Sequence, residues 1–254
     1  MIIAALGSSF AAGPGIPPVV DRAARRSGAN YPHLLAERLG GQLVDLTVSG
    51  ATTATILTDR QRVGVRTLPP QLDGLPADAD LVTITAGGND LGYLGAMISA
   101  ALATTFDSRA LTIPLGGLFR DRIPVPTEED VARTASGLSR VVAAVRTRAP
   151  GARILLVEYL TLIAPYTEPA DGIPFSRQQL DAFATIQAAL TDAYSRVDAE
   201  LVPIGALSRD HALGSIEPWV NRFAGLRNLG SSFHPNAEGM RAVADEIARR
   251  LATS

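Results

Sequence analysis

The chain has 254 residues, 46% of them hydrophobic and 19% charged, with 23 basic groups against 25 acidic ones and a formal net charge of -2. This composition excludes a mainly disordered chain, and the absence of any run of five like charges leaves nothing directed at nucleic acid or an anionic membrane surface. Every basic residue is arginine, a bias that fits genome composition better than a demand for bidentate anion recognition. Cysteine is absent, which removes disulfides, thiolate nucleophiles and Cys-based zinc sites from consideration. The three histidines, His33, His211 and His234, lie far apart with no HxxxH spacing, so a structural metal is not expected. The N-terminal residues MIIAALG lack a basic n-region and a full apolar h-region, and no apolar stretch reaches the roughly 18 to 20 residues that span a bilayer. The chain therefore reads as soluble, and as cytoplasmic if it is full length.

In chain order, apolar runs at 2–6, 42–48 and 81–85 predict strands. Segment 92–127 is longer than an ordinary crossover and mixes an Ala-rich helix with the stretch LTIPLGG, so it reads as an insertion: a lid or pocket wall, or else extra core or a partner surface. A helix is predicted at 128–148, stopped by Ala-Pro-Gly at 149–151, then a strand at 154–158, a helix at 176–197 and a weaker strand at 201–204. The last helix is the clearest, with Met240, Val243, Ala244, Ile247, Ala248 and Leu251 at helical spacing and Arg249 and Arg250 at the negative end of its dipole. The strand runs are apolar along their length and do not alternate, the pattern of strands covered on both faces. One α/β domain over 1–254 follows, a three-layer α/β/α sandwich with a central parallel five-stranded sheet.

Polar, glycine-containing strings follow the first three predicted strands: GSSFAAGPG (7–15), SGATTA (49–54) and AGGND (86–90). In an open α/β sheet all three meet at the carboxyl edge. Ester cleavage needs a nucleophile, a base and donors aimed where the carbonyl oxygen becomes negative. The strings offer candidates for every role except the base, which SFHPNAEG (232–239) supplies as His234 just ahead of the final helix. Taken singly, each residue has an ordinary structural reading. Ser9 and Gly50 suit turns, His234 before Pro235 can open a helix, and Asn89 and Asp90 can cap a helix starting at residue 91, the role preferred for Asp90. His33 and His211 read as structural or solvated, and Trp219 as packing more than as the lining of an acyl pocket.

Together, the four strings in this order over nearly the whole chain resemble the blocks of the SGNH (GDSL-type) hydrolases, most of all the actinobacterial secreted esterase and lipase branch. The stretch at 30–40 resembles the helix that follows the nucleophile block. The resemblance implies a flavodoxin-like sandwich, Ser9 as nucleophile and His234 as base. It also implies an oxyanion hole made of the Ser9 and Gly50 backbone N–H groups and the Asn89 side chain. A small-molecule ester substrate, no cofactor, no metal and secretion are implied as well, although the chain shows no signal segment.

Two positions depart from the family pattern: Ser8 stands where an aspartate normally precedes the nucleophile, and Ser231 where the triad acid normally stands. The His234 ring then needs another orienting group. A backbone carbonyl near Ser231, making a Ser-His dyad, is preferred over a carboxylate such as Glu217 or Asp210. The expected function is a serine carboxylic-ester hydrolase. Other readings are a non-catalytic flavodoxin-like binding module or a degenerate hydrolase and, among enzymes, a thioesterase, a lysophospholipase or a carbohydrate acetylesterase. No GxSxG elbow occurs, which disfavours the α/β-hydrolase mode.

Overall fold

The computed structural model describes residues 1–105 and 123–253. Strands in chain order are β1 (Ile2–Gly7), β2 (Val19–Asp21), β3 (Arg26–Ser27), β4 (Gln42–Asp45), β5 (Gln61–Val63), β6 (Arg66–Leu68), β7 (Leu81–Thr85), β8 (Arg153–Val157) and β9 (Glu200–Val202). Helices are α1 (Ser9–Ala12), α2 (Tyr31–Leu39), α3 (Thr53–Leu57), α4 (Tyr93–Thr105), α5 (Glu128–Arg148), α6 (Arg177–Ser195), α7 (Ile204–Leu207) and α8 (Ala237–Ala252). Five strands form one parallel sheet in the order β4-β1-β7-β8-β9, while β2–β3 and β5–β6 are separate antiparallel hairpins.

The helix boundaries follow from capping chemistry. Thr127 and Asp130 form a capping box at the start of α5, whose first turn carries Glu128, Glu129 and Asp130 and whose last turn carries Arg146 and Arg148. Ser176 and Gln179 do the same for α6, and the Asn236 side chain caps α8 at the Gly239 N–H. The stripe expected on α8 turns inward: Met240, Val243, Ala244 and Ile247 are buried, and Ala248 and Leu251 pack at the margin of the core.

Strand β4 ends at Asp45, short of the expected 48. The Asp45 carboxylate accepts bonds from the N–H and hydroxyl of Thr47 (3.0 and 2.6 Å), turning the chain locally. Of the expected insertion, 93–105 is helix α4, whose Tyr93, Leu94, Met97 and Ala101 lie in the core. The LTIPLGG stretch lies outside the described residues. The two hairpins were not legible as strands, being three residues or fewer per arm.

The connection β1 to β4 runs one way across the sheet and β7 to β8 the other, so right-handed crossovers place their helices on opposite faces. Accordingly α2 packs with α8, while α5 packs against α3 and α6. The direction of winding reverses between β1 and β7, and the crevice beyond their carboxyl ends is the ligand-binding position of such sheets. There Gly7 pairs with Thr85, Ser8 N–H donates to the Thr85 carbonyl (2.9 Å), and the Gln71 carboxamide bonds both the N–H and the carbonyl of Gly7 (2.8 and 2.9 Å). Gly7 has φ +149°, and a Cβ there would stand 2.4 Å from the Thr85 carbonyl oxygen. Gly7→Ala is therefore expected to destabilise the protein by more than about 3 kcal/mol in urea unfolding, since neither partner is a movable side chain. An unchanged midpoint would show that β1 and β7 can separate here.

Candidate active site

Ser9 opens α1 directly after β1, so its N–H has no carbonyl one turn behind it. Among the described residues neither the Ser9 N–H nor the Gly50 N–H donates a hydrogen bond. Gly50 has φ +84°, a conformation that favours glycine, and sits in the turn between β4 and α3. Asn89 donates one amide hydrogen to the Ala51 carbonyl (2.8 Å), which ties it to the residue after Gly50 and leaves its second hydrogen free among the described residues. The structure thus brings Gly50 and Asn89 to the same end of the sheet as Ser9.

Ser9 is only 5% exposed, and its hydroxyl takes no hydrogen bond among the described residues. The neighbouring Phe10 ring lies 5.9 Å from the His234 imidazole and stacks at 4.1 Å on Tyr159. Opposite the nucleophile loop, a Cβ at Gly15 would meet the Ser231 side chain at 2.5 Å, so the segment before His234 lies against the chain that follows Ser9.

His234 is 6% exposed and its Nδ1 lies 2.9 Å from the Ser232 carbonyl oxygen. A carbonyl only accepts, so Nδ1 carries the proton and Nε2 holds the lone pair. Burial, with a smaller contribution from the Arg25 charge, lowers the ring's pKa to about 4 against the partial support of the Ser232 bond. The orienting oxygen belongs to Ser232 and not to Ser231, whose carbonyl instead accepts the His234 N–H and the Asn221 side chain (both 3.2 Å). The reason is local: Phe233 adopts φ +60°, which rotates the intervening peptides. Phe175 and Phe223 hold its ring in place, with centroids at 5.1 and 6.1 Å.

Glu217 and Asp210 do not serve the His234 ring. The Glu217 main-chain carbonyl accepts from Nδ1 of His211 (2.8 Å), and Asp210 lies in the 3-10 turn Arg209–His211 on the rim of a separate cleft of about 510 Å³. Trp219 stacks on His211 at 3.9 Å, a packing role. His33 bonds Asn30 (2.7 Å) beside Asp45. Asp90 is not the cap of α4, which starts at Tyr93. Its carboxylate accepts the N–H and hydroxyl of Thr53 at the start of α3, clamping the Asn89 loop to the Gly50 loop. Burial raises its pKa, partly offset by those bonds.

Two participants had no sequence signal because their partners are distant in the chain. Gln71 brackets Gly7, and the Tyr159 hydroxyl meets Ser8 Oγ at 2.5 Å, with the Tyr159 ring packed against Gly88. Ser8, in the place of the family aspartate, is thereby fixed to β8's end. Beside Asn89, a cleft of about 300 Å³ is lined by Leu91, Gly92, Pro124, Val125 and Pro126, with Asp90 and Asp130.

Residues 5–242 match the sequence profile of the GDSL-like lipase/acylhydrolase family. Lipase 2 of Streptomyces coelicolor is 32% identical over 254 residues, spanning 95% of this chain and 82% of that protein. In fold, the extracellular lipase of Streptomyces rimosus superposes with a TM-score of 0.68 at 21% identity, covering 98% of this chain and 99% of that one. Phospholipase A1 of Streptomyces albidoflavus does so with a TM-score of 0.66 at 20% identity, covering 96% and 98%. With the profile running through all four sequence blocks and a relative matched along nearly the whole chain, the protein belongs to the GDSL-like lipase/acylhydrolase family and is a carboxylic ester hydrolase.

Proposed function

We propose that the chain hydrolyses acyl esters through an acyl-enzyme on Ser9, with His234 and no side-chain carboxylate as its base. The observation that carries this reading is a Ser9 hydroxyl unbonded among the described residues, next in sequence to Phe10, whose ring lies 5.9 Å from a buried imidazole with its Nδ1–H tied to a carbonyl and its Nε2 left as acceptor. Ser9 Oγ attacks the acyl carbon as its proton passes to Nε2. The N–H groups of Ser9 and Gly50 and the Asn89 amide receive the developing oxyanion, each such donor being worth roughly 2.7 to 4 kcal/mol in the transition state. Collapse expels the alcohol, protonated by His234, and water repeats the sequence to release the acid.

The lipase relatives and the apolar side of the cleft beside Asn89 support an acyl chain over a bare acetyl group. Assay of p-nitrophenyl esters from acetate to palmitate, with EDTA present, is expected to give turnover that disappears in Ser9→Ala and to peak beyond acetate. Turnover unaffected by Ser9→Ala would overturn the assignment. No turnover on any chain length would favour a degenerate hydrolase or a binding module.

The pH dependence follows from His234. Only the neutral ring accepts the Ser9 proton, so kcat/KM should stay level well below pH 6 and reach half-loss near pH 4. Half-loss at about 6.5, the unperturbed value, would mean a solvated ring. The same lowering means that His234's contribution to stability is complete above the unfolded pKa of about 6.5 and is lost as pH falls through the folded value, so circular dichroism must accompany the profile.

Tyr159→Phe removes the partner of a buried Ser8 hydroxyl. It should cost about 1 to 3 kcal/mol of stability and lower kcat more than it raises KM.

A further inference from the structure

Arg25 is adjacent in sequence to Arg26, and the two are used in opposite ways. Arg26 is consumed by the fold: its guanidinium donates twice to the Thr47 carbonyl (3.0 and 2.8 Å) and lies 3.4 Å from Asp45 and 3.9 Å from Asp21. Asp21 belongs to the hairpin of Arg26 and Asp45 ends β4, and both also accept backbone bonds, at Ala23 and Ala24 and at Thr47. Arg25 is exposed and has no hydrogen bond or ion pair among the described residues. Its backbone is in the left-handed region at φ +52°, which a non-glycine residue adopts at a cost.

Two contacts locate it. The Ala24 carbonyl accepts the Ser49 N–H (2.9 Å), placing Arg25 one residue from the strand of chain that leads into Gly50. A Cβ at Gly230 would stand 3.0 Å from Nη1 of Arg25, so the guanidinium lies against the segment that leads to His234. The charge reaches the ring, helping to keep it neutral. In the hydrolysis read above, His234 hands its proton to the departing alcohol, so the alcohol half of the ester lies on the His234 side and the acyl half on the other.

We infer that Arg25 is a specificity-determining residue that binds an anionic group, phosphate or carboxylate, on the alcohol half of the substrate. The favoured substrates are acyl esters of alcohols that carry such a group close to the ester oxygen. The inference rests on the Ser9 and His234 reading and adds to it a substrate class.

The test compares kcat/KM on three short, monomeric esters: 1-hexanoylglycerol, 1-hexanoylglycerol 3-phosphate and O-hexanoylglycolate. The first is neutral, and the others carry phosphate or carboxylate on the alcohol. Wild type is expected to prefer an anionic ester to the neutral one. That ratio should fall about tenfold or more in Arg25→Gln, as for loss of a charge-assisted hydrogen bond, and fall further in Arg25→Glu. Added sodium chloride should lower it too. Arg25→Lys, which keeps the charge, should retain most of the preference and guards against a misfolded Gln variant, while Arg140→Gln on the exposed side of α5 should leave the ratio at the wild-type value. Dependence on Arg25 for the phosphate ester alone assigns phosphate, and dependence for both assigns a general anion site. An identical ratio in wild type, Arg25→Gln and Arg25→Glu overturns the inference. Failure of wild type on all three esters, or full activity in Ser9→Ala, would instead overturn the hydrolytic reading beneath it.

Discussion

Where β1 ends against β7 the chain has room for a hydrogen atom and nothing larger, because the Thr85 carbonyl occupies the place of a side chain on Gly7. That close approach, fixed by parallel pairing from Ile3–Leu81 to Gly7–Thr85, sets where both strands release their loops. Ser9 follows Gly7 by two residues and Asn89 follows Thr85 by four, so a shift in this register would move the proposed nucleophile and the proposed oxyanion donor relative to each other. Gln71, buried and bonded to both the N–H and the carbonyl of Gly7, keeps β1 from advancing or retreating. The position of the chemistry is thus inherited from the sheet, and the loops need only hold what the strands deliver.

His234, the proposed base, is held by a different kind of contact. A carboxylate beside His234 would raise the ring's affinity for the proton and stabilise the imidazolium that the proposed attack by Ser9 would form. The Ser232 carbonyl offers only a dipole, and burial dominates, so the ring is a weak base that stays neutral over a wide range. The exchange has a structural advantage: no second charge has to be buried beside the ring, with the desolvation that would entail. The load moves to the backbone. Phe233 must remain in a left-handed conformation, and the two aromatic rings of Phe175 and Phe223 together with the Asn221 and His234 main-chain bonds keep it there.

What could be seen in the sequence were the residues whose chemical type is dictated by the proposed reaction or by the sheet: a serine after the first strand, glycine where the backbone must approach closely, an amide after the third strand, a histidine before the last helix. The sheet itself was legible because strands buried on both faces leave uninterrupted apolar runs, as Leu81–Thr85 does. The orienting carbonyl was located one residue off because spacing in sequence does not reveal the positive φ at Phe233. Asp90 looked like a local cap because capping is a short-range pattern, whereas its carboxylate crosses to Thr53, 37 residues away. Gln71 and Tyr159 left no pattern at all, since a contact across 64 or 151 residues has no periodicity to find.

Stability and function pull apart most visibly behind Gly50. Of the buried side-chain polar atoms without a partner among the described residues, Ser49 Oγ and Gln61 Oε1 both belong to this corner, while Gln61 Nε2 bonds the Ser49 carbonyl at 2.9 Å. An unmatched buried polar atom costs about 1 to 3 kcal/mol, and an apolar residue at either position would avoid that cost. What the corner gains is a peptide whose orientation is set from behind: its carbonyl, that of Ser49, is engaged by Gln61, and the Gly50 N–H takes no bond among the described residues. A donor held in place before substrate arrives needs no reorganisation when charge develops, and that is where electrostatic stabilisation of a transition state is largest. The polar atoms sacrificed behind the glycine and the free N–H in front of it are two ends of one rigid peptide arrangement.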